Sequence, residues 1–448
     1  MRKNLDLING EINKTLIKFS IPLAISFIIN IIYSWVDLFF VSRIGDLAVG
    51  AVGTSERILF FLFAVGSGLA IGSSVIVARR IGEGNIENAK QTAIQSLFGM
   101  LIIGILLSLL FFISKPLILN LLGIKNEIKV LASKYFDGLV LGIAFNLIIF
   151  QISMIMRSLG NTFYPMQILI ISNIINAIFT PLLIFGIYPF PRLEVFGAGL
   201  GTSISQILGA FWGLYILLSK FHFFEVKNLK LKLDFKEIFK IIKIGLPASL
   251  QLITVSIASI GLTANANYFS SEILSTYVIG LRIDLFINMS IFAFGAAIEI
   301  ITGQNLGANK IKRIFDFHKS AIISLIKILM PLSLLSFFFG KYIGYIFTNN
   351  IIIINNLDIY LKIVSFSNIP FAIGIISLRV ISGSGDYFRS LKIVFSVLIF
   401  TQLPLAFVLS YIFNNPIAIW ISILISMIIL SISGYISLIR LKWLRKKI

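Results

Sequence analysis

The sequence predicts an all-α integral membrane protein of twelve transmembrane helices, set as two six-helix lobes related by a parallel repeat. Three observations predict it: apolar composition, an internal repeat, and a one-sided distribution of basic residues. Hydrophobic residues make up 58% of the 448 and the mean hydropathy is +0.98. A water-soluble chain of that composition would leave too much apolar surface in contact with solvent. Displaced along itself, the sequence overlays at a constant offset: Pro22 falls on Pro247, Arg57 on Arg282, Gly82 on Gly307, Tyr135 on Tyr360, Gly160 on Gly385, Pro191 on Pro416 and Gly209 on Gly434, each pair 225 apart (282 − 57 = 225). Duplicated membrane halves place a substrate path at their interface, the arrangement of a transporter.

The first half carries apolar runs near 17–42, 48–78, 92–113, 133–155, 165–186 and 196–219, and the second near 240–263, 274–302, 320–340, 358–382, 391–412 and 416–438. Each is close to or above the ~20 residues that cross a bilayer core. The first run is too long for a signal-peptide core and lacks a small-residue cleavage pattern, so it is read as a span. Six helices per half leave both halves in the same orientation, hence a parallel repeat. Residues 1–220 form the amino-terminal lobe, 221–239 a basic cytoplasmic linker with His222, Glu225 and Asp234, and 240–448 the carboxy-terminal lobe. The longest outer loop is read as Ser114–Lys134. Glycines four apart, Gly68 with Gly72 and Gly197 with Gly201, predict close helix–helix approach.

The +19 net charge is explained by where the charges fall. With both termini inside, about 28 Lys and Arg lie on the inner side and about 8 outside, as the positive-inside rule requires. This fixes a multi-pass topology in the cytoplasmic membrane, with anionic lipid headgroups as neighbours, and removes nucleic acid as a partner. The chain has no cysteine, so thiol chemistry and disulfides are excluded. Its two histidines, His222 and His318, fall in loops or at helix ends, and no metal-binding motif or nucleophile elbow is present. The sequence therefore argues against an enzyme and implies no cofactor.

Polar residues inside the spans are the candidates for function, because a carboxylate at a helix centre costs about 2.5–3.5 kcal/mol on insertion scales. Asp37 lies in the outer part of the first helix, one turn after Tyr33. It can bind and release a proton, hold a sodium ion while charged, or mark the outer interface. Asn173, Asn176 and Thr180 share helical spacing in the fifth helix, before Pro181. They suit a hard cation or interhelical hydrogen bonds. In the eighth helix Asp284 and Asn288 lie one turn apart, with Gly295 and Glu299 further along that face and Glu299 near the inner end. Arg57 and Arg282 are read as structural pins paired with other helices or carbonyls, with substrate contact the alternative.

Several motifs resemble the multidrug and toxic compound extrusion (MATE) transporters. Gly303-Gln304-Asn305-Leu306-Gly307-Ala308 resembles the family's most recognisable stretch, and Arg157-Ser158-Leu159-Gly160-Asn161-Thr162 resembles its fourth-to-fifth helix loop, echoed at Ser384-Gly385-Asp386. Thr180-Pro181-Leu182-Leu183-Ile184-Phe185-Gly186 and Gly197-Ala198-Gly199-Leu200-Gly201-Thr202 resemble its fifth and sixth helices. The resemblance covers essentially the whole chain and implies two lobes around a central cleft that opens alternately to either side. It implies export of organic, often cationic compounds in exchange for H+ or Na+; the chain is expected to act as a monomer. Asp37 aligns with the coupling aspartate of the DNA-damage-inducible protein F type, with Asn176 and Thr202 as polar partners, so that Na+ would sit at Asp37 and Asn176. Thr180 stands where many relatives carry a second aspartate; the single remaining charge favours a proton. A second coupling pattern, with carboxylates in helices seven and ten, meets Gln251, Ser256, Ser365 and Asn368 here. The alternative function is a lipid-linked saccharide flippase of the same superfamily, for which arginines in the cleft would suit pyrophosphate.

Overall fold

The computed structural model describes residues 4–121, 126–221 and 233–445. Its long elements are helices, as a membrane interior requires: a helix satisfies every backbone amide within its own segment. In chain order they are α1 (Ile12–Ser42), α2 (Asp46–Gly82), α3 (Ile86–Leu121), α4 (Asn126–Ser158), α5 (Phe163–Phe185) and α6 (Glu194–Lys220), then α7 (Phe235–Phe269), α8 (Ser271–Gly307), α9 (Ile311–Phe347), α10 (Ile351–Ser365), α11 (Asn368–Gly383), α12 (Tyr387–Val397), α13 (Leu403–Phe413) and α14 (Ile417–Ile439). A π-helical turn, Leu398–Gln402, joins α12 to α13 within one span. Among the described residues eleven helices are long and apolar enough to cross a membrane. The pair α10 and α11, bent by 48°, makes a twelfth when taken as one span.

Several expected boundaries move. The stretch read as the outer loop Ser114–Lys134 is helical at both ends, because α3 runs to Leu121 and α4 starts at Asn126. The tenth span, expected as one helix over 358–382, breaks between Ser365 and Asn368. Within the linker, α7 begins at Phe235, where the Asp234 carboxylate accepts from the amides of Lys236 (2.9 Å) and Glu237 (3.2 Å), an amino-terminal cap. His222 and Glu225 lie outside the described residues. His318 belongs to α9, buried, with Nε2 3.0 Å from Ser377 Oγ.

The described chain forms two compact units. One comprises residues up to Asp6 together with Ile25–Ser249, and the other comprises Leu7–Ala24 together with Leu250–Ile448. Besides the break between Asp6 and Leu7, two boundaries fall inside helices, in α1 and in α7. They are related by the repeat (249 − 24 = 225), and each lies two residues beyond a proline, Pro22 or Pro247. Proline lacks the amide that would bond to the carbonyl four residues back, so both helices are loosened near the point where they pass from one unit to the other.

Within the first unit, glycines bring helices to backbone contact. A Cβ on Gly245 of α7 would lie 1.8 Å from the Gly68 carbonyl oxygen, and one on Gly72 would lie 2.5 Å from that of Ile241. Across α4 and α6, a Cβ on Gly199 would lie 2.2 Å from the Tyr135 oxygen and one on Gly138 2.4 Å from that of Phe196. The Ser203 hydroxyl completes this seam by donating to the Gly138 carbonyl (2.7 Å) and accepting from the Gly142 amide (3.0 Å). Gly160 has φ +82° and Gly385, its repeat mate, +92°. The repeat therefore extends to a left-handed turn that favours glycine. Leu5 donates its amide to the Gly160 carbonyl (3.0 Å), while in the second unit Asn305 Nδ2 donates to the Leu7 carbonyl (2.9 Å).

The α4–α6 seam predicts a steric test. Gly199→Ala is expected to lower stability by about 1–3 kcal/mol, the usual range for overpacking. Gly53, with nothing within 4 Å of an added Cβ, should accept alanine neutrally or gain about 0.5–1 kcal/mol of helix stability. Thermal unfolding of the two variants in one detergent measures the difference.

Candidate functional site

The site of the first unit lies where α1, α2, α4 and α6 face one cavity of about 300 Å³. Each helix presents one stripe to it. Tyr33 and Asp37 come from α1, one turn apart. Glu56, Phe60 and Phe63 come from α2, Tyr135, Leu139, Ile143 and Asn146 from α4, and Thr202 and Gln206 from α6. These spacings of three and four residues are those of a single helical face.

Asp37 is 3% exposed, so it does not simply mark the outer interface, and its Oδ1 has no hydrogen-bond partner among the described residues. Beside it runs a polar chain. Thr202 Oγ1 donates to the Ala198 carbonyl one turn back (3.1 Å). Its single proton is thereby committed, so it acts as acceptor to its other two neighbours: Tyr33, whose hydroxyl donates over 3.3 Å, and Asn176, whose Nδ2 donates over 3.2 Å. Tyr33, Asn176 and Thr202 are thus joined.

The α5 residues, Asn176 among them, stand apart from the cavity lining. Thr180 is fully buried against α6, where a Cβ on Gly201 would lie 2.7 Å from its Oγ1. Neither that oxygen, nor Asn173 Nδ2, nor Asn176 Oδ1 has a hydrogen-bond partner among the described residues.

The two arginines depart from expectation. Arg57 and Arg282 are exposed, and among the described residues neither makes a hydrogen bond or an ion pair. The reading of both as pinned by partners is therefore corrected. The nearby acids are no partners: Glu56, next to Arg57, points about 100° away around the helix, and Asp284, two residues from Arg282, about 200° away.

In the second unit, Asp284 is half-buried and accepts a hydrogen bond from the Tyr360 hydroxyl of α10. Tyr360 packs edge-on against Trp420 (4.8 Å between ring centroids), which stacks on Tyr277 (5.7 Å). Asn288, one turn along α8, is part-buried and its Oδ1 has no partner among the described residues. Glu299 is buried. It pairs with Arg379 Nη1 at 2.6 Å and accepts from the Tyr387 hydroxyl, which ties α8 to α11 and α12.

Glu56, Tyr135, Asn146 and Gln206 line the cavity although spacing along the sequence does not single them out. Glu56 is a carboxylate within a span. The signal that marks it is its place on a stripe with Phe60 and Phe63, one and two turns on.

The central position of Thr202 predicts an asymmetric result. Thr202→Val leaves the Tyr33 hydroxyl and Asn176 Nδ2 without their acceptor and should cost about 1–3 kcal/mol for each group left unsatisfied. Thr202→Ser keeps the oxygen and should stay near wild type. Thermal unfolding in detergent separates the two.

Comparison with known proteins bears on this geometry. The family model MatE matches residues 22–182 and 247–412. Its two matches begin one repeat length apart (247 − 22 = 225). The probable multidrug resistance protein YoeA of Bacillus subtilis is 27% identical over 301 residues, covering 66% of this chain and 65% of its own, so the chain spans just under two thirds of that relative. An FAD transporter of Shewanella oneidensis is 26% identical over 416 residues, covering 92% and 91%. The crystal structure of the Vibrio cholerae MATE transporter VcmN in its bent form superposes with a TM-score of 0.89 over 97% of each chain, at 20% identity, a likeness of fold. Matched in both halves, the chain belongs to the MatE family of multidrug transporters, multi-pass helical membrane proteins rather than enzymes.

Proposed function

We propose that this protein is a cation-coupled exporter of organic cations, working by alternating access in the cytoplasmic membrane as a monomer with both termini inside. Its halves, 1–220 and 240–448, act as the two lobes, and Asp37 is the coupling group. The observation that carries this reading is a buried carboxylate with an unpartnered oxygen, facing a cavity lined by tyrosine and phenylalanine. An ionised group kept there without a partner is costly. Binding a proton or a cation removes that cost and so changes which packing of the helices is favoured. A ligand shifts such an equilibrium only through unequal affinity for the two states.

Proton is preferred over sodium. Thr202 Oγ1 donates to one group and accepts from two others, so both its lone pairs are in use and it has none to offer a metal ion. Carboxylate protonation at Asp37 needs no further oxygen ligands.

A second reading, a lipid-linked saccharide flippase, draws on Arg57 and Arg282, both exposed and without partners among the described residues. Guanidinium groups suit pyrophosphate.

Efflux of a fluorescent organic cation from proteoliposomes, under a pH gradient or a sodium gradient imposed separately, tests the proposal. Acceleration by the pH gradient is expected, and Asp37→Asn should reduce efflux to the rate without any gradient while the protein still inserts. Indifference of the wild type to both gradients would sink the antiporter reading. Translocation of a lipid-linked pyrophosphate that is lost in Arg57→Ala and Arg282→Ala would then support the flippase.

A further inference from the structure

The cavity of the first unit holds two carboxylates, and they differ in everything except the space they face. Asp37 is 3% exposed, beside the polar chain of Tyr33, Thr202 and Asn176. Glu56 is exposed and makes no hydrogen bond or ion pair among the described residues. It is ten residues into α2, about 15 Å along the helix at 1.5 Å per residue, well within a span where an unpaired carboxylate is disfavoured. Arg57 does not neutralise it. Phe60 and Phe63 lie one and two turns further along the same helix and face the same cavity.

A carboxylate at the accessible side of such a cavity, next to aromatic rings, is the chemistry that recognises an organic cation. The charge attracts the ammonium or iminium group, and the ring faces accept its flat, polarisable body. A group with almost no exposure is poorly placed to meet a bulky ligand, yet a proton can reach it. The two acids therefore divide the work.

We propose that Glu56 is the substrate-recognition carboxylate, selecting flat organic monocations against Phe60 and Phe63, while Asp37 is reserved for the coupling ion. This rests on the antiporter reading and extends it. One cation bound at Glu56 and one proton bound at Asp37 each cancel one negative charge of the cavity. Each therefore lowers the attraction left for the other, and the two ligands oppose each other.

The test uses the purified full-length protein and ethidium, a permanent monocation whose fluorescence reports binding, at pH 8 and pH 6. Glu56→Gln, isosteric but neutral, should weaken ethidium binding about tenfold at both pH values. It should leave the wild-type ratio between the two pH values in place. Asp37→Asn, a neutral stand-in for the protonated acid, should flatten that ratio, holding the affinity at both pH values at the level the wild type shows at pH 6. Glu56→Asp, which restores the charge one methylene shorter, should recover part of the loss. It also covers the case in which the glutamine variant folds poorly.

Unchanged ethidium affinity in Glu56→Gln overturns the assignment, and so does a pH ratio abolished by Glu56→Gln yet retained in Asp37→Asn. Failure of the antiporter reading is separately visible, as wild-type efflux that no ion gradient accelerates.

Discussion

The close approach of α6 to α4 and α5 governs the first unit. Glycine at 138, 199 and 201 lets backbones meet at distances that any side chain would prevent, and in lipid this packing replaces the hydrophobic drive available in water. The functional groups inherit their positions from that contact. Ser203 bonds to the Gly138 carbonyl and the Gly142 amide, which fixes the rotation of α6. That rotation aims Thr202, its chain neighbour, towards Tyr33 and Asn176, and sets Gln206 one turn on along the cavity wall. An oxygen displaced by 1 Å would lose both donors, since hydrogen bonds weaken steeply beyond their normal length.

Much of this was legible in the sequence, and the remainder had physical reasons to be hidden. Apolar runs and the repeat located the helices because lipid permits few other backbone arrangements. Asp37 stood out as a carboxylate within a span, and Thr202 followed from a motif. The break between Ser365 and Asn368 did not stand out, because Ile, Val, Phe and Ser read as one apolar run whether or not the helix bends. Thr180 looked like a free ligand beside Pro181, but a glycine on another helix covers it. The partners of Glu299, Arg379 and Tyr387, lie 80 and 88 residues further along the chain, beyond the reach of any helical periodicity. The arginines misled for the opposite reason. A buried guanidinium needs a partner, but no sequence pattern told that these two side chains are exposed.

Within each unit, a stretch that carries a recognisable motif holds part of the segment before α1. Gly160 accepts from the Leu5 amide, and Asn161 Nδ2 donates to Asn4 Oδ1 (3.1 Å). In the second unit Asn305 bonds to Leu7, and Lys310 and Arg313 reach Asn9 and Gly10. Two of the family-like stretches, distant in sequence, thus hold successive parts of the same short segment before α1. Their polar residues have a structural use that does not require any of them to touch a transported molecule.

Tyr135 and Tyr360 occupy matching places in the two halves, and each attends a carboxylate: Tyr135 shares its cavity with Asp37, and Tyr360 donates to Asp284. The carboxylates themselves do not match. The counterpart of Asp37 is Leu262 (37 + 225), and the counterpart of Asp284 is Leu59 (284 − 225). If the halves descend from one ancestral gene segment, at least one replacement at each of these positions happened after its duplication. The tyrosine is then the shared inheritance and the acid the later divergence, so the molecule became chemically lopsided while its architecture stayed twofold.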